Sequence, residues 1–153
     1  MTLFDSASFA GHEGVHAFYD EKTGLKAIAA VHSTARGPAV GGCRMWNYAS
    51  SEEALTDVLR LSRGMSYKNA VADLEMGGGK SVIIGDAKTQ KTPELFRAFG
   101  RALNTLGGIY YSAEDVGVSV ADIAEARKET EYVLGLSDGP WGSGDPSPVT
   151  AEG

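Results

Sequence analysis

Cysteine is nearly missing from this chain of 153 residues: Cys43 stands alone, so no intrachain disulfide framework is available and a reducing cytoplasmic compartment is expected. A lone thiol of this kind is expected to be a small buried apolar group. Surplus positive charge is missing too. Lys and Arg number 14 against 20 Asp and Glu, a net charge of −6, and phosphate-backbone binding needs a clustered excess of cations, so nucleic acid is excluded as a partner. No stretch approaches the roughly 20 apolar residues of a membrane span, and Met1-Thr2-Leu3-Phe4-Asp5 has no basic start running into an apolar segment, so no membrane association is expected. Histidine is scarce, with three copies. His12-Glu13-Gly14-Val15-His16 formally fits the helical zinc motif His-Glu-x-x-His, but Gly14 disfavours a helix and the flanks alternate like a strand. No metal site is expected, and these histidines read as ordinary residues of a surface hairpin edge. A dinucleotide fingerprint is lacking as well, since neither Gly77/Gly79 nor Gly142/Gly144 has its third glycine in place.

What is present fits one domain, which at this length buries roughly two-thirds of the surface of its unfolded chain. Residues 15–20 and 25–32 read as two strands joined through Glu21-Lys22-Thr23-Gly24, a hairpin. Residues 36–42 carry too much glycine and proline for a regular element and are expected to form an ordered loop. Ser50 or Ser51 caps a helix with Glu52 and Glu53 at its positive end, Ala54, Leu55, Val58, Leu59 and Leu61 as its apolar side, and an end near Met65 or beyond. A buried strand is expected over 81–86, then a helix capped by Thr92 with Pro93 at its first position and Leu95, Phe96, Phe99 and Leu103 inside. Ile109-Tyr110-Tyr111 reads as a strand, Ser119 and Asp122 as the capping pair of a helix to about Lys128, and Tyr132-Val133-Leu134 as a last strand. The expected fold is α/β: an N-terminal β-hairpin followed by alternating helices and strands, giving a mixed sheet with helices on both faces and a ligand beyond the carboxyl ends of its strands. Residues 137–148 have the composition of a connecting loop.

The chemistry concentrates in Met76-Gly77-Gly78-Gly79-Lys80-Ser81, where three glycines let the backbone crowd a ligand while delivering one lysine. Lys68 lies upstream and Asp115 downstream, so two cations and a carboxylate can converge on a small polar substrate. Gly79-Lys80-Ser81 imitates the end of a P-loop, but the glycine required five positions before the Gly-Lys pair is Leu74, and a strand rather than a helix follows.

Gly41-Gly42-Cys43-Arg44-Met45, Ser66-Tyr67-Lys68-Asn69-Ala70, the glycine–lysine run, Ala113-Glu114-Asp115-Val116-Gly117 and residues 144–151 occur in an order that resembles the NAD-dependent amino-acid dehydrogenases, specifically the leucine/phenylalanine/valine branch. The resemblance implies two-domain enzymes that reversibly deaminate an amino acid to its 2-oxo acid. It covers their substrate-binding domain here, residues 1–136, with 137–153 as a connection toward a dinucleotide-binding domain that the chain does not contain. By residue, it implies Lys80 and Asp115 as catalytic groups, Lys68 as the grip on the substrate α-carboxylate, and Thr150 as a contact to the nicotinamide of NAD. A lysine that activates water has to release a proton, which burial beside a second cation favours.

Glutamate-specific relatives carry lysine just before the Gly-Gly pair, and here that position is Val40. An apolar L-amino acid and its 2-oxo acid are therefore implied, with Val40, Met65 and Ala113 as pocket candidates and Gly41 and Gly42 as places where backbone reaches the substrate. Members are oligomers, so a homo-oligomer is implied. A chain ending at Gly153 inside the last motif looks truncated, and the lone domain is expected to be catalytically silent. The rival reading is a noncatalytic, self-associating module that binds a small molecule, its hairpin edge pairing with a second copy.

Overall fold

The computed structural model of the chain describes residues 3–136. In chain order these form a short 3-10 turn Leu3–Asp5, then β1 (Gly14–Asp20), β2 (Leu25–Ser33), β3 (Ala39–Val40), β4 (Cys43–Trp46), α1 (Ser51–Val71), β5 (Gly77–Ile84), α2 (Pro93–Asn104), β6 (Tyr110–Tyr111) and α3 (Val120–Arg127). The strands make one mixed sheet in the order β1-β2-β5-β3-β6, with β4 also on β5. β1/β2 and β2/β5 are antiparallel, whereas β3/β5, β3/β6 and β4/β5 are parallel. The hairpin turns at Gly24, whose φ of 77° is the left-handed conformation glycine tolerates, while Asp20 accepts from Thr23 inside the turn.

Period-2 alternation sorts the two faces. Val82 packs with Ala30 against Ala54, Val58 and Leu59 of α1, so α1 covers one face. Ile83, Leu25, Ala27, Ala29 and Met45 face Leu95, Phe96, Phe99 and Leu103 of α2 and Ile123 and Ala126 of α3, which cover the other. Each large side chain buried there stabilises the fold by about 1.5–3 kcal/mol. The helix starts are capped as expected: Ser50 accepts from the Glu53 amide, Thr92 from Leu95 with Pro93 following, and Ser119 and Asp122 form a reciprocal capping box. Among the described residues no helix is long and apolar enough to cross a membrane.

Four expectations need correction. The stretch 36–42 is not wholly loop, because Ala39–Val40 forms β3 in the interior of the sheet, and Cys43–Trp46 adds a strand that was not anticipated. These two short strands share one flank of β5, Ala39 and Val40 beside Gly77 and Gly78, and Cys43 to Trp46 beside Ser81 to Ile84, with Gly41-Gly42 between them. The strand expected over 81–86 starts earlier, at Gly77, and ends at Ile84, so the glycine run is strand rather than loop. Tyr132-Val133-Leu134 makes only an isolated bridge, Val133 to Ser112, since the segment meets its neighbour for too short a stretch to form a ladder. His12 is not at the surface: it is 7 % exposed, its ring held by Phe9 O and Ser62 Oγ and edge-on to His32 at 4.8 Å between centroids. Gly14–Asp20 being a strand, His12 and His16 do not share a helix face, so the zinc-motif geometry does not arise. Cys43 is fully buried, and burial pushes its thiol up to about 12.

Candidate functional site

The glycine run is crowded, but by the protein. A Cβ placed on Gly78 meets the backbone of Ser66 in α1, with Ser66 Cα at 2.5 Å, and one on Gly79 meets the Tyr110 ring at 2.7 Å. A side chain at Gly78 would hold α1 off the sheet, and one at Gly79 would displace Tyr110. The close approach is fastened by Asn69, whose Nδ2 donates to Gly77 O at 2.8 Å and to Val40 O at 3.4 Å. The last turns of α1, which carry Met65 and Lys68, therefore lie directly on the strand that carries Lys80.

A second ladder brings the remaining groups alongside. The amides of Ala39, Gly41, Cys43 and Met45 donate in turn to the carbonyls of Ile109, Tyr111, Ala113 and Val116, so the segment after β6 runs beside β3 and β4 and delivers Asp115 next to Arg44. Gly117 turns the chain back with a φ of 76°, and Val118 N donates to Asp115 O at 3.0 Å. Lys80 is two residues before Val82 and so stands on the α1 face of the sheet. Arg44, between Cys43 and Met45 of the α2/α3 core, stands on that face as well.

These placements produce a chain of charges. Lys80, 6 % exposed, places Nζ 3.0 Å from Asp115 Oδ2, and Arg44 Nε reaches the same oxygen at 3.2 Å. Arg44 Nη1 continues to Asp57 Oδ2 of α1 at 3.4 Å, and the Tyr48 hydroxyl donates to that Asp57 oxygen. Burial works to raise the Asp115 carboxyl, but Lys80 and then Arg44 outweigh it and hold the group below the ordinary carboxylate range. Burial and the Asp57 carboxylate push the Tyr48 hydroxyl well above its ordinary value, so it stays a donor. A cleft of about 760 Å³ opens beside this network, bounded by Arg44, Trp46, Tyr48, Asp57, Arg60 and Val116 among others.

Of the residues singled out in the sequence, the structure joins Lys80 to Asp115 directly. Lys68 is half-buried in the last turn of α1 and makes no ion pair among the described residues. Val40 is half-buried in β3, opposite Gly78 and Tyr111. Met65 Cγ lies 3.1 Å from where a Gly41 Cβ would be, and Ala113 is buried with its carbonyl on Cys43 N, so Val40, Gly41, Met65 and Ala113 border one region. The space at Gly41 is taken by Gly79 O, and that at Gly42 by Glu114 O and by Asp115 Cβ at 2.9 Å. The immediate reason for both glycines is thus backbone packing that sets Asp115 in place. Thr150 and the expected connecting loop lie outside the described residues. Arg44, Asp57, Tyr48 and Asn69 are the site residues that reading the sequence missed. Alternation over Cys43-Arg44-Met45-Trp46 was the available signal for Arg44.

Residues 12–132 match the family model described as Glu/Leu/Phe/Val dehydrogenase, dimerisation domain. The chain is 54% identical over 153 residues to a phenylalanine dehydrogenase of Bacillus thermotolerans, covering 100% of this chain and 40% of that protein. It is equally 54% identical to a leucine dehydrogenase of Geobacillus stearothermophilus, of which it covers 42%. Among solved structures, the L-tryptophan dehydrogenase of Nostoc punctiforme superposes with a TM-score of 0.82 at 42% identity, over 86% of this chain and 39% of that one. The chain thus spans about two-fifths of the length of these relatives.

Proposed function

The chain belongs to the Glu/Leu/Phe/Val dehydrogenase family, and from that premise we propose that it is the substrate-binding and catalytic part of an NAD-dependent enzyme that oxidatively deaminates apolar L-amino acids to 2-oxo acids and ammonia. The observation that carries the proposal is the buried Lys80 in contact with Asp115, on a strand covered by the turns of α1 that carry Lys68, which is half-buried and makes no ion pair among the described residues.

In this reading Lys68 holds the substrate α-carboxylate as a fixed ammonium partner. The substrate ammonium first loses a proton to solvent, and the α-carbon then gives up its hydride to the acceptor that NAD would supply, leaving an iminium. Water adds to that carbon as Lys80, in its neutral form, takes the water proton, and Asp115 moves a proton from oxygen to nitrogen so that ammonia leaves as the carbonyl forms. Val40 and Met65 offer the substrate side chain an apolar wall, and a second carboxylate placed there would be buried unpaired, at a cost of several kcal/mol.

NAD, when bound, supplies the hydride acceptor. Among the described residues the glycine run is strand β5 and opens no helix, so it does not offer a pyrophosphate a helix N-terminus, and NAD is assigned to the remainder of a longer protein, with Thr150 as the proposed contact to its nicotinamide from this chain. β1 ends the sheet with an open edge and Tyr19 exposed, which supports a homo-oligomer. A cytoplasmic location fits the single buried thiol. The test is NADH formation by the full-length protein with leucine, valine or phenylalanine, with glutamate as the disfavoured substrate. No NADH with any apolar amino acid eliminates the enzyme in favour of the noncatalytic module.

A further inference from the structure

Arg44 has no role in the reading above, yet it contributes the second cation to Asp115. Its Nε and the Lys80 ammonium share Oδ2, and no hydrogen bond reaches Oδ1 among the described residues. The guanidinium is itself fixed at its other end, where Nη1 meets Asp57 Oδ2, and Asp57 is held in turn by the Tyr48 hydroxyl. A planar fork pinned at two points holds a carboxylate in one orientation, which a flexible ammonium does not. Arg44, Asp57 and Asp115 are each about one-quarter to one-third exposed, so water reaches the network without dissolving it.

We infer that Arg44 is a positioning residue of this site: held by Asp57, it keeps Asp115 oriented and paired with a cation at the moment Lys80 gives up its own positive charge. The inference rests on the dehydrogenase reading for its catalytic consequence, although the orientation of Asp115 can be tested apart from it. Without Arg44, the neutral Lys80 would leave Asp115 facing the substrate as a half-buried anion with no cation beside it. That anion would draw the proton back to Lys80, so the reactive state would be formed less readily. The charged and titratable groups around Asp115 are Lys80 from β5, Arg44 from β4, Asp57 behind Arg44 on α1, and the buried Cys43 and Tyr110, both of which burial keeps protonated. Arg44 and Lys80 are therefore the only cations in direct contact with Asp115 among the described residues.

Arg44→Gln and Arg44→Lys in the full-length protein supply the test. With Arg44→Gln, kcat is expected to fall on the order of 10- to 100-fold with KM little changed, as for a misplaced catalytic group. The acid limb of the kcat/KM profile moves to higher pH, because the Asp115 carboxyl has lost one of the two cations that hold it low. Arg44→Lys keeps the charge but loses the two-point hold, so the pH limb returns toward wild type while kcat recovers only in part. In parallel, carbon-13 NMR of the Asp115 carboxyl in this chain should show its titration moving up toward the ordinary range in Arg44→Gln. Lower thermal stability with an unmoved pH limb and an unmoved Asp115 titration makes Arg44 merely structural and overturns the inference. If the wild-type full-length protein makes no NADH, the dehydrogenase reading falls alone, and the Asp115 titration still decides whether Arg44 positions it.

Discussion

Replacing Gly78 by alanine should destabilise the fold even though one methyl group is added to a strand. The new Cβ would lie 2.5 Å from Ser66 Cα, whereas carbon atoms in contact sit about 3.5–4.0 Å apart, so α1 has to withdraw by about 1 Å. The obstacle is helix backbone rather than a side-chain tip, which puts the cost near the upper end of the overpacking range, about 3 kcal/mol, or roughly 6–12 °C in Tm for a chain of this length. The withdrawal also strains the Asn69 bonds to Gly77 and Val40 and displaces Lys68, two residues beyond Ser66. Gly64 is the internal comparison, because it lies in the same helix with nothing within 4 Å of an added Cβ. There alanine should stabilise by about 0.5–1 kcal/mol through helix propensity alone. Thermal melts of the two variants followed by circular dichroism should thus move in opposite directions from wild type. A Gly78→Ala protein that melts with or above wild type would refute the claim that Gly78 seats α1 on β5.

Burial lowers both His12 and His32, only partly offset by backbone hydrogen bonds, so the unfolded chain binds protons before the folded one. Stability from this pair is complete above about pH 6.5 and is lost as pH falls through the lower folded values; melting temperatures measured down to about pH 5 should decline, and His12→Gln should flatten the decline. Ser119→Ala removes the acceptor for Asp122 N and half of the α3 capping box, costing about 1 kcal/mol, read as a fall of roughly 2–4 °C in Tm. An unchanged Tm would mean that α3 is held by its packing against α2 alone. Lys68→Ala in the full-length protein should raise KM for the amino acid far more than it lowers kcat, and the reverse pattern would move Lys68 from binding to chemistry.

The helices were legible because their signals are local. Ser50, Thr92 and the Ser119/Asp122 pair each mark a helix start within a few residues, and Leu95, Phe96, Phe99 and Leu103 recur at helical spacing. β3 was not, since a strand of two residues has no periodicity to read and its stability comes from β5 and β6 on either side, and β4, only four residues long, is held by β5 and by the carbonyls of Ala113 and Val116. The glycine run misled in an instructive way. Gly77, Gly78 and Gly79 were read as space for a ligand, whereas the neighbours that need the space are the Ser33 carbonyl, Ser66 and Tyr110 in turn, all brought there by tertiary packing. Lys80 and Asp115 were found through ordered motifs, and their contact follows from the ladder of carbonyls from Ile109 to Val116. Asp57 was hidden among Glu52 and Glu53, where an acidic residue early in a helix reads as a dipole partner facing water. Its distinguishing feature is Arg44 across the cleft, which only the sheet register supplies.

The central claim, that Lys80 performs proton chemistry on an amino-acid substrate gripped by Lys68, is tested most directly by Lys80→Ala in the full-length protein, with turnover and substrate dissociation constant measured together. A general base contributes typically 10²- to 10⁴-fold, so kcat for NADH formation should fall by about that factor while the dissociation constant changes little. Turnover within a few-fold of wild type, or a loss confined to binding, would contradict the account.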